Sequence, residues 1–156
     1  IEKYDLLIQK AEAIMYEGWE EVRPQVMALE GYLNELGVEL CPCHNDALYE
    51  NFIKAMDGTI YLIDWEYSGM NDPMADFAAL FIEADFTKEN QDYILDKYFN
   101  GNVPKNSFKK ILCYMILWDY LWAQWTIIKE AKGDNFGTYG YDRYNRAIRN
   151  LKNIKR

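Results

Sequence analysis

Apolar residues recur at helical spacing over residues 4–22, at Tyr4, Leu7, Ile8, Ala11, Ile14, Met15, Trp19 and Val22, which predicts an amphipathic helix there. Pro24 interrupts it or starts a second helix. Val26, Leu29, Tyr32, Leu33 and Leu36 continue the period, and Gly37 offers a C-terminal stop. The texture then changes. Val38, Leu40, Phe52, Ile53 and Ile60 to Ile63 fall in short apolar runs, with Asp57-Gly58 between two of them. That dipeptide is a hairpin signal, so 51–56 and 59–64 are expected as paired strands. After Pro73 the helical period returns, with Phe77, Leu80, Phe81 and Ala84 on one face. Thr87 is placed to cap a helix through Phe99 that Asn100-Gly101 ends. Pro104 and Ser107 open a long helix to about Lys132, its apolar face including Phe108, Ile111, Leu112, Met115, Leu121, Trp122 and Trp125. A last helix should run from about Tyr141 to the end. The pattern contains no repeat and no Pro/Gly-rich linker. It predicts one domain over 1–156, α+β but mostly α, wrapped around a small β-hairpin.

Composition narrows the partners. Half of the 156 residues are hydrophobic, enough for a sizeable core. The net charge is −8, which argues against nucleic acid as the main partner. Six of the 17 basic residues lie between Arg143 and Arg156 with no acid among them, so the other 142 residues carry 11 basic against 25 acidic side chains. An acidic body suits a cationic substrate, and equally a solvated surface. The basic tail reads as a solvated helix face. Three cysteines, Cys41, Cys43 and Cys113, form no regular framework and fit a reducing cytoplasm. Cys41-Pro42-Cys43 is too cramped for a Cys-x-x-Cys motif, and His44 beside it finds no second ligand pair, so no structural metal is expected there. No apolar run reads as long enough to span a membrane, and no signal peptide opens the chain.

The segment His44-Asn45-Asp46-Ala47-Leu48-Tyr49-Glu50-Asn51 leads into the hairpin, which ends at Ile63-Asp64-Trp65-Glu66-Tyr67. Phosphoryl transfer to a hydroxyl needs a carboxylate to orient the attacking oxygen and take its proton. It also needs an amide oxygen and a second carboxylate to hold Mg2+ against the phosphates of ATP. Protein kinases place these groups as an Asp, an Asn five residues later, and an Asp on the next strand. Asp46, Asn51 and Asp64 follow that order, and a hairpin between the last two returns both to one edge. Each fragment alone is a weak signal, since Asp and Asn also cap turns; the combination is strong.

These motifs carry a resemblance. Cys-His-Asn-Asp-x4-Asn-Phe-Ile and Leu-Ile-Asp-Trp-Glu-Tyr resemble the catalytic-loop and metal motifs of the aminoglycoside phosphotransferase and choline kinase superfamily. The closer likeness is to choline/ethanolamine kinases of the bacterial lic type, whose metal motif is similar to Ile63–Tyr67 and whose Gly-x-x-Asp-Pro-x-x-Asp-Phe-Ala is matched by Gly69 to Ala78. The resemblance covers about residues 40–145 and implies the C-terminal lobe of a protein-kinase-like fold, with the catalytic loop and metal hairpin at 41–67. By position it implies Asp46 as the catalytic base, Asn51 and Asp64 as magnesium ligands, Glu66 as an aid to the metal or to an ammonium, and Asp76 as a tie between loop and helix. A quaternary ammonium is held by aromatic faces. Trp118, Trp122 and Trp125 share one helix face. Trp122-x-x-Trp125, then Phe136-Gly137 and Tyr141, resembles the aromatic wall of choline kinases, with Tyr67 as a further wall. An aromatic stripe at this spacing also packs a core, and the pattern leaves both roles open.

The implied function is the C-terminal lobe of an ATP-dependent kinase that phosphorylates the hydroxyl of choline or ethanolamine, in the cytoplasm. No Gly-rich loop and no lysine-bearing strand precede Asp46, so an N-terminal ATP lobe is expected in the intact protein, and this chain alone is expected to be inactive. Two alternatives stay open: a phosphotransferase for an aminoglycoside, thiamine, homoserine or another small alcohol, and an inactive lobe serving as a cation- or protein-binding module.

Overall fold

The computed structural model describes residues 1–154. Among them are seven α-helices and two antiparallel two-stranded ladders. The expected mostly helical α+β architecture is what forms. The chain divides into two compact units, one of Leu36–Tyr114 and one of Ile1–Glu35 with the chain from Met115 onward.

In the second of these units, α1 spans Glu2–Lys10, α2 Trp19–Met27 and α3 Leu29–Leu36. The single helix expected over 4–22 is therefore broken. Glu12 takes a left-handed φ of 48°, which no helix continues through, and Gly18 at φ 76° caps the restart. The restart turns Trp19 inward, while Ile14, expected on the apolar face, is 91% exposed. Pro24 neither interrupts nor starts a helix; it sits inside α2 on the exposed side. The carbonyl it leaves unbonded belongs to solvent-facing Glu20, and the buried face of Trp19, Val22 and Val26 holds the helix.

The long helix α6 spans Ser107–Glu130; its residues from Met115 onward and α7, Tyr139–Ile154, complete this unit. Trp19 stacks on Tyr120 at 4.4 Å and on Tyr144 at 5.2 Å between ring centroids. Gly140 permits a close approach of α7 to α6: a Cβ there would lie 2.6 Å from Thr126 Cβ and collide with Tyr16 Oη. Asp119, fully buried on α6, accepts from Arg146 Nε and Nη2, both at 2.7 Å, and from Arg143 Nη1 at 3.1 Å. That double pairing offsets the cost of a buried carboxylate. α6 is apolar enough by length and composition to cross a membrane, and 61% of its most apolar 18-residue stretch is buried in the protein. It is a core helix, covered on several sides. The expected apolar stripe is for that reason only partly right: Ile111 is buried, while Leu112, Met115, Leu121, Trp122 and Trp125 are half-buried.

In the Leu36–Tyr114 unit, β2 (Phe52–Lys54) pairs with β3 (Ile60–Leu62) in the register Phe52↔Leu62, Ile53↔Tyr61 and Lys54↔Ile60. The hairpin forms where Asp57-Gly58 predicts it, with Gly58 at φ 89° and Asp57 Oδ1 accepting from the Thr59 amide. Its strands are shorter than expected. A second ladder was not foreseen: β1 (Cys41–Cys43) pairs with β4 (Gly69–Asn71). Next come α4, Pro73–Glu83, and α5, Lys88–Tyr98, whose N-cap Thr87 forms a reciprocal capping box with Asn90. On α4 the buried residues are Met74, Ala75, Ala78, Ala79 and Phe81, so the inner stripe is rotated from the expected Phe77–Leu80–Phe81–Ala84 face toward small side chains. Asp72 caps α4 through the Met74 amide and, fully buried, pairs with Lys110 Nζ at 2.5 Å.

Candidate functional site

The loop after β1 is fixed by backbone and side-chain bonds before any ligand enters. Both carboxylate oxygens of Asp76, in the first turn of α4, accept from the amides of His44 and Asn45 at 2.7 Å. Asn45 turns the chain at φ 61°, a conformation that Asn tolerates better than most residues. Its side chain accepts from Asn71 Nδ2 at 2.9 Å and donates to the Tyr67 carbonyl at 3.1 Å. One residue thus holds β4 and the segment carrying Glu66 and Tyr67.

Asp46 and Asn51 are joined by a 2.9 Å bond from Asn51 Nδ2 to the Asp46 carbonyl. A short 3₁₀ turn, Tyr49–Asn51, brings them together. The Ile63 amide donates to the Asn51 carbonyl at 3.0 Å, so the residue before Asp64 is tied to Asn51. His44 closes the ring. Its Nε2 lies 2.8 Å from the Ile63 carbonyl, and because a carbonyl only accepts, Nε2 carries the proton. The imidazole is 1% exposed, with Trp65 packed edge-on at 4.8 Å, and Nδ1 has no partner among the described residues. Asp64 stands at φ 64°, a costly conformation for a non-glycine residue that marks a constrained position. The sequence reading gave His44 and Asn45 no role; the only signals were a histidine two positions before Asp46 and an Asn in a turn.

Asp46 is half-buried and Asp64, Glu66 and Tyr67 are exposed. Burial pushes the Asp46 carboxyl above its ordinary range, the nearby Asp64 and Glu66 charges add to the rise, and His44 and the Asn51 side chain oppose it. Among the described residues none of these three carboxylates has an ion-pair partner. No three His, Cys, Asp or Glu side chains group as a metal site among the described residues. The donors fit a hard cation in another way. Asn51 uses its Nδ2 on the loop, which leaves its Oδ1 for a ligand, and Asp64 supplies carboxylate oxygen; oxygen donors suit magnesium, which takes much of its shell from substrate phosphates and water.

The aromatic candidates lie in the other unit. Trp122 and Trp125 meet edge to face at 5.6 Å, and Phe136 packs on Trp125 at 5.0 Å. Lys129 Nζ sits 5.4 Å from the Trp125 centroid, so that ring already accepts a cation. Tyr141 is half-exposed and packs edge-on against the Tyr16 ring at 5.7 Å. Tyr139 lies over the Arg143 guanidinium at 4.8 Å and accepts from Arg143 Nη2 at 2.8 Å.

Comparison with known proteins gives concordant findings. The family model described as choline/ethanolamine kinase matches residues 8–108. Protein LicA of Haemophilus influenzae is 33% identical over 156 residues, which is 96% of this chain and 53% of that protein. Among solved structures, choline kinase LicA from Streptococcus pneumoniae is 47% identical with a TM-score of 0.88, covering 97% of this chain and 53% of that one. A structure of LicA in complex with AMP is 45% identical with a TM-score of 0.87, covering 98% and 52%. This chain spans about half the length of these relatives.

Proposed function

The chain belongs to the choline/ethanolamine kinase family, and on that premise we propose that it carries the catalytic half of an ATP-dependent kinase acting on the hydroxyl of choline or ethanolamine. The observation that supports this most is the closed ring Asp46–Asn51–Ile63–His44, which ties the Asp46 backbone to Asn51 and to the residue before Asp64, with the Asp46 carboxyl raised by burial and by the nearby Asp64 and Glu66 charges.

In this reading Asp46 accepts a hydrogen bond from the substrate hydroxyl, turns its oxygen toward the phosphorus, and takes its proton as the bond to phosphorus forms. Its raised pKa makes it a better proton acceptor than an ordinary Asp. Asn51 Oδ1 and the Asp64 carboxylate would hold Mg2+, which supplies charge neutralisation to the phosphates of ATP. His44 and Asn45 position the loop without touching substrate. Glu66 and Tyr67, exposed beside it, are proposed to meet the cationic end of the acceptor. Trp122 and Trp125 are proposed as the faces for the trimethylammonium. Because Lys129 already lies against Trp125, Trp122 is expected to contribute more. Tyr141, turned to Tyr16, is expected to contribute least. Proposed partners are ATP, the small alcohol and the remainder of a protein about twice this length; the proposed compartment is a reducing cytoplasm, where Cys41, Cys43 and Cys113 stay as thiols.

Tryptophan fluorescence of this chain, titrated with choline, ethanolamine and an aminoglycoside, tests the acceptor. Saturable quenching by choline that is lost in Trp122→Ala/Trp125→Ala supports the proposal. A response to the aminoglycoside alone replaces choline as the acceptor. Silence to all three in the folded chain removes the Trp pair from binding.

A further inference from the structure

Cys41 and Cys43 lie two residues apart on β1, and residues so spaced share one face of a strand. Their sulfurs are 3.7 Å apart. Both are free thiols. Cys43 is 3% exposed and donates its S–H to the Asn71 carbonyl on β4 at 3.3 Å. Cys41 is half-buried and lines a cavity of about 390 Å³ walled by Leu40, Tyr98, Phe99 and Pro104. The proposed phosphoryl transfer uses neither thiol.

Geometry decides what such a pair takes. A disulfide needs Cβ atoms about 3.5–4.5 Å apart, whereas same-face neighbours on an intact strand are about 6.6 Å apart. Closing that bond would pull β1 off β4. An atom held by two sulfur bonds of about 2.3 Å at the roughly 100° angle of a pyramidal trivalent centre spans about 3.5 Å between sulfurs, within a few tenths of an ångström of the 3.7 Å pair. A resident four-coordinate metal lacks its other ligands, since among the described residues no third His, Cys, Asp or Glu side chain joins the two. The remaining class is a soft centre that needs only two protein sulfurs and brings its third substituent with it.

We propose that Cys41 and Cys43 form a chelating dithiol site for trivalent organoarsenicals, with the organic group lodged in the Tyr98–Phe99 cavity. Two S–H bonds and the arsenic–oxygen bond break, two S–As bonds form, and water leaves with both protons and the oxide oxygen. Arsenic stays trivalent and nothing is oxidised. Cys41 reacts first, because burial and the neighbouring Cys41 thiol push Cys43 up to about 12 and keep it protonated. Chelation then replaces the Cys43–Asn71 bond.

The test is intact-mass spectrometry of the full reduced chain with phenylarsine oxide, and it reads no kinase activity, so its failure leaves the catalytic proposal standing. The expected result is one phenylarsine per chain, resistant to a large excess of monothiol, stripped by a dithiol, absent from Cys41→Ser and retained in Cys113→Ala. Alkylation of Cys41 in the unmutated chain with iodoacetamide, located by peptide mapping, should block uptake equally, which covers the case of a Cys41→Ser chain that folds poorly. No adduct on folded protein, removal by monothiol, or an adduct that survives the loss of Cys41 would overturn the proposal.

Discussion

Asp46 concentrates the proposed chemistry, and its surroundings set two measurable consequences. Its carboxyl is held above the ordinary range first by burial and then by Asp64 and Glu66. Glu66→Gln removes one like charge, so the acidic limb of the kcat/KM profile in the complete protein should move to lower pH, toward an ordinary Asp. A limb that stays in place would detach Asp46 from that titration. The second consequence concerns folding. In the window between the ordinary and the raised pKa, the folded chain still holds a proton that the unfolded chain has lost. Ionisation therefore costs stability as pH rises through that window, and the full cost is felt above it. Asp46→Asn should accordingly raise the urea midpoint at neutral pH and leave it little changed well below the carboxylate range; a lower midpoint at neutral pH would contradict this. Asp46, Asn51 and Asp64 could be proposed from the sequence because an Asp, an Asn five residues on and a later Asp form a pattern that lies along the chain itself. His44 and Asn45 could not, because their work depends on where the Ile63 and Tyr67 carbonyls come to lie, 19 and 22 residues away.

The hairpin announced itself through Asp57-Gly58, and α5 through Thr87 and Gly101, since each signal is local and sits within a turn of what it controls. The β1–β4 ladder did not: three-residue strands carry no usable alternation, and their pairing joins positions 28 residues apart, as the Cys43–Asn71 bond shows. The break after α1 was hidden for a related reason, because Glu12 adopts a left-handed conformation that nothing in its type requests. Helix packing supplies another prediction. Gly140→Ala puts a Cβ against Thr126 and Tyr16, and overpacking of this kind costs about 1–3 kcal/mol. Urea denaturation should show that loss with an unchanged slope; a stability gain, as expected for Gly→Ala in an uncrowded helix, would mean that α6 and α7 do not approach so closely.

The chain as a whole is acidic, mostly helical, and about half the length of its relatives. Its long apolar helix illustrates a limit of pattern reading. α6 is surrounded, so burial does not follow one stripe, and Trp122 and Trp125 are left half-buried at its margin, not in the deep core. That placement is the ground on which they are proposed as ligand contacts. Trp122→Ala in the complete protein should raise the KM for choline about five- to thirtyfold, the scale of one lost cation–π contact of about 1–2 kcal/mol in a desolvated site, while the KM for ATP changes far less. Equal changes in both would return Trp122 to packing.

The most direct measurement is transfer of the γ-phosphate of ATP to choline by the complete protein carrying this sequence, alongside Asp46→Asn with choline binding followed in parallel. Formation of phosphocholine that falls by at least about 10²-fold in Asp46→Asn, with choline affinity retained, is the predicted result. Undiminished transfer in Asp46→Asn, or no transfer to choline by the unmutated protein, would contradict the proposed function.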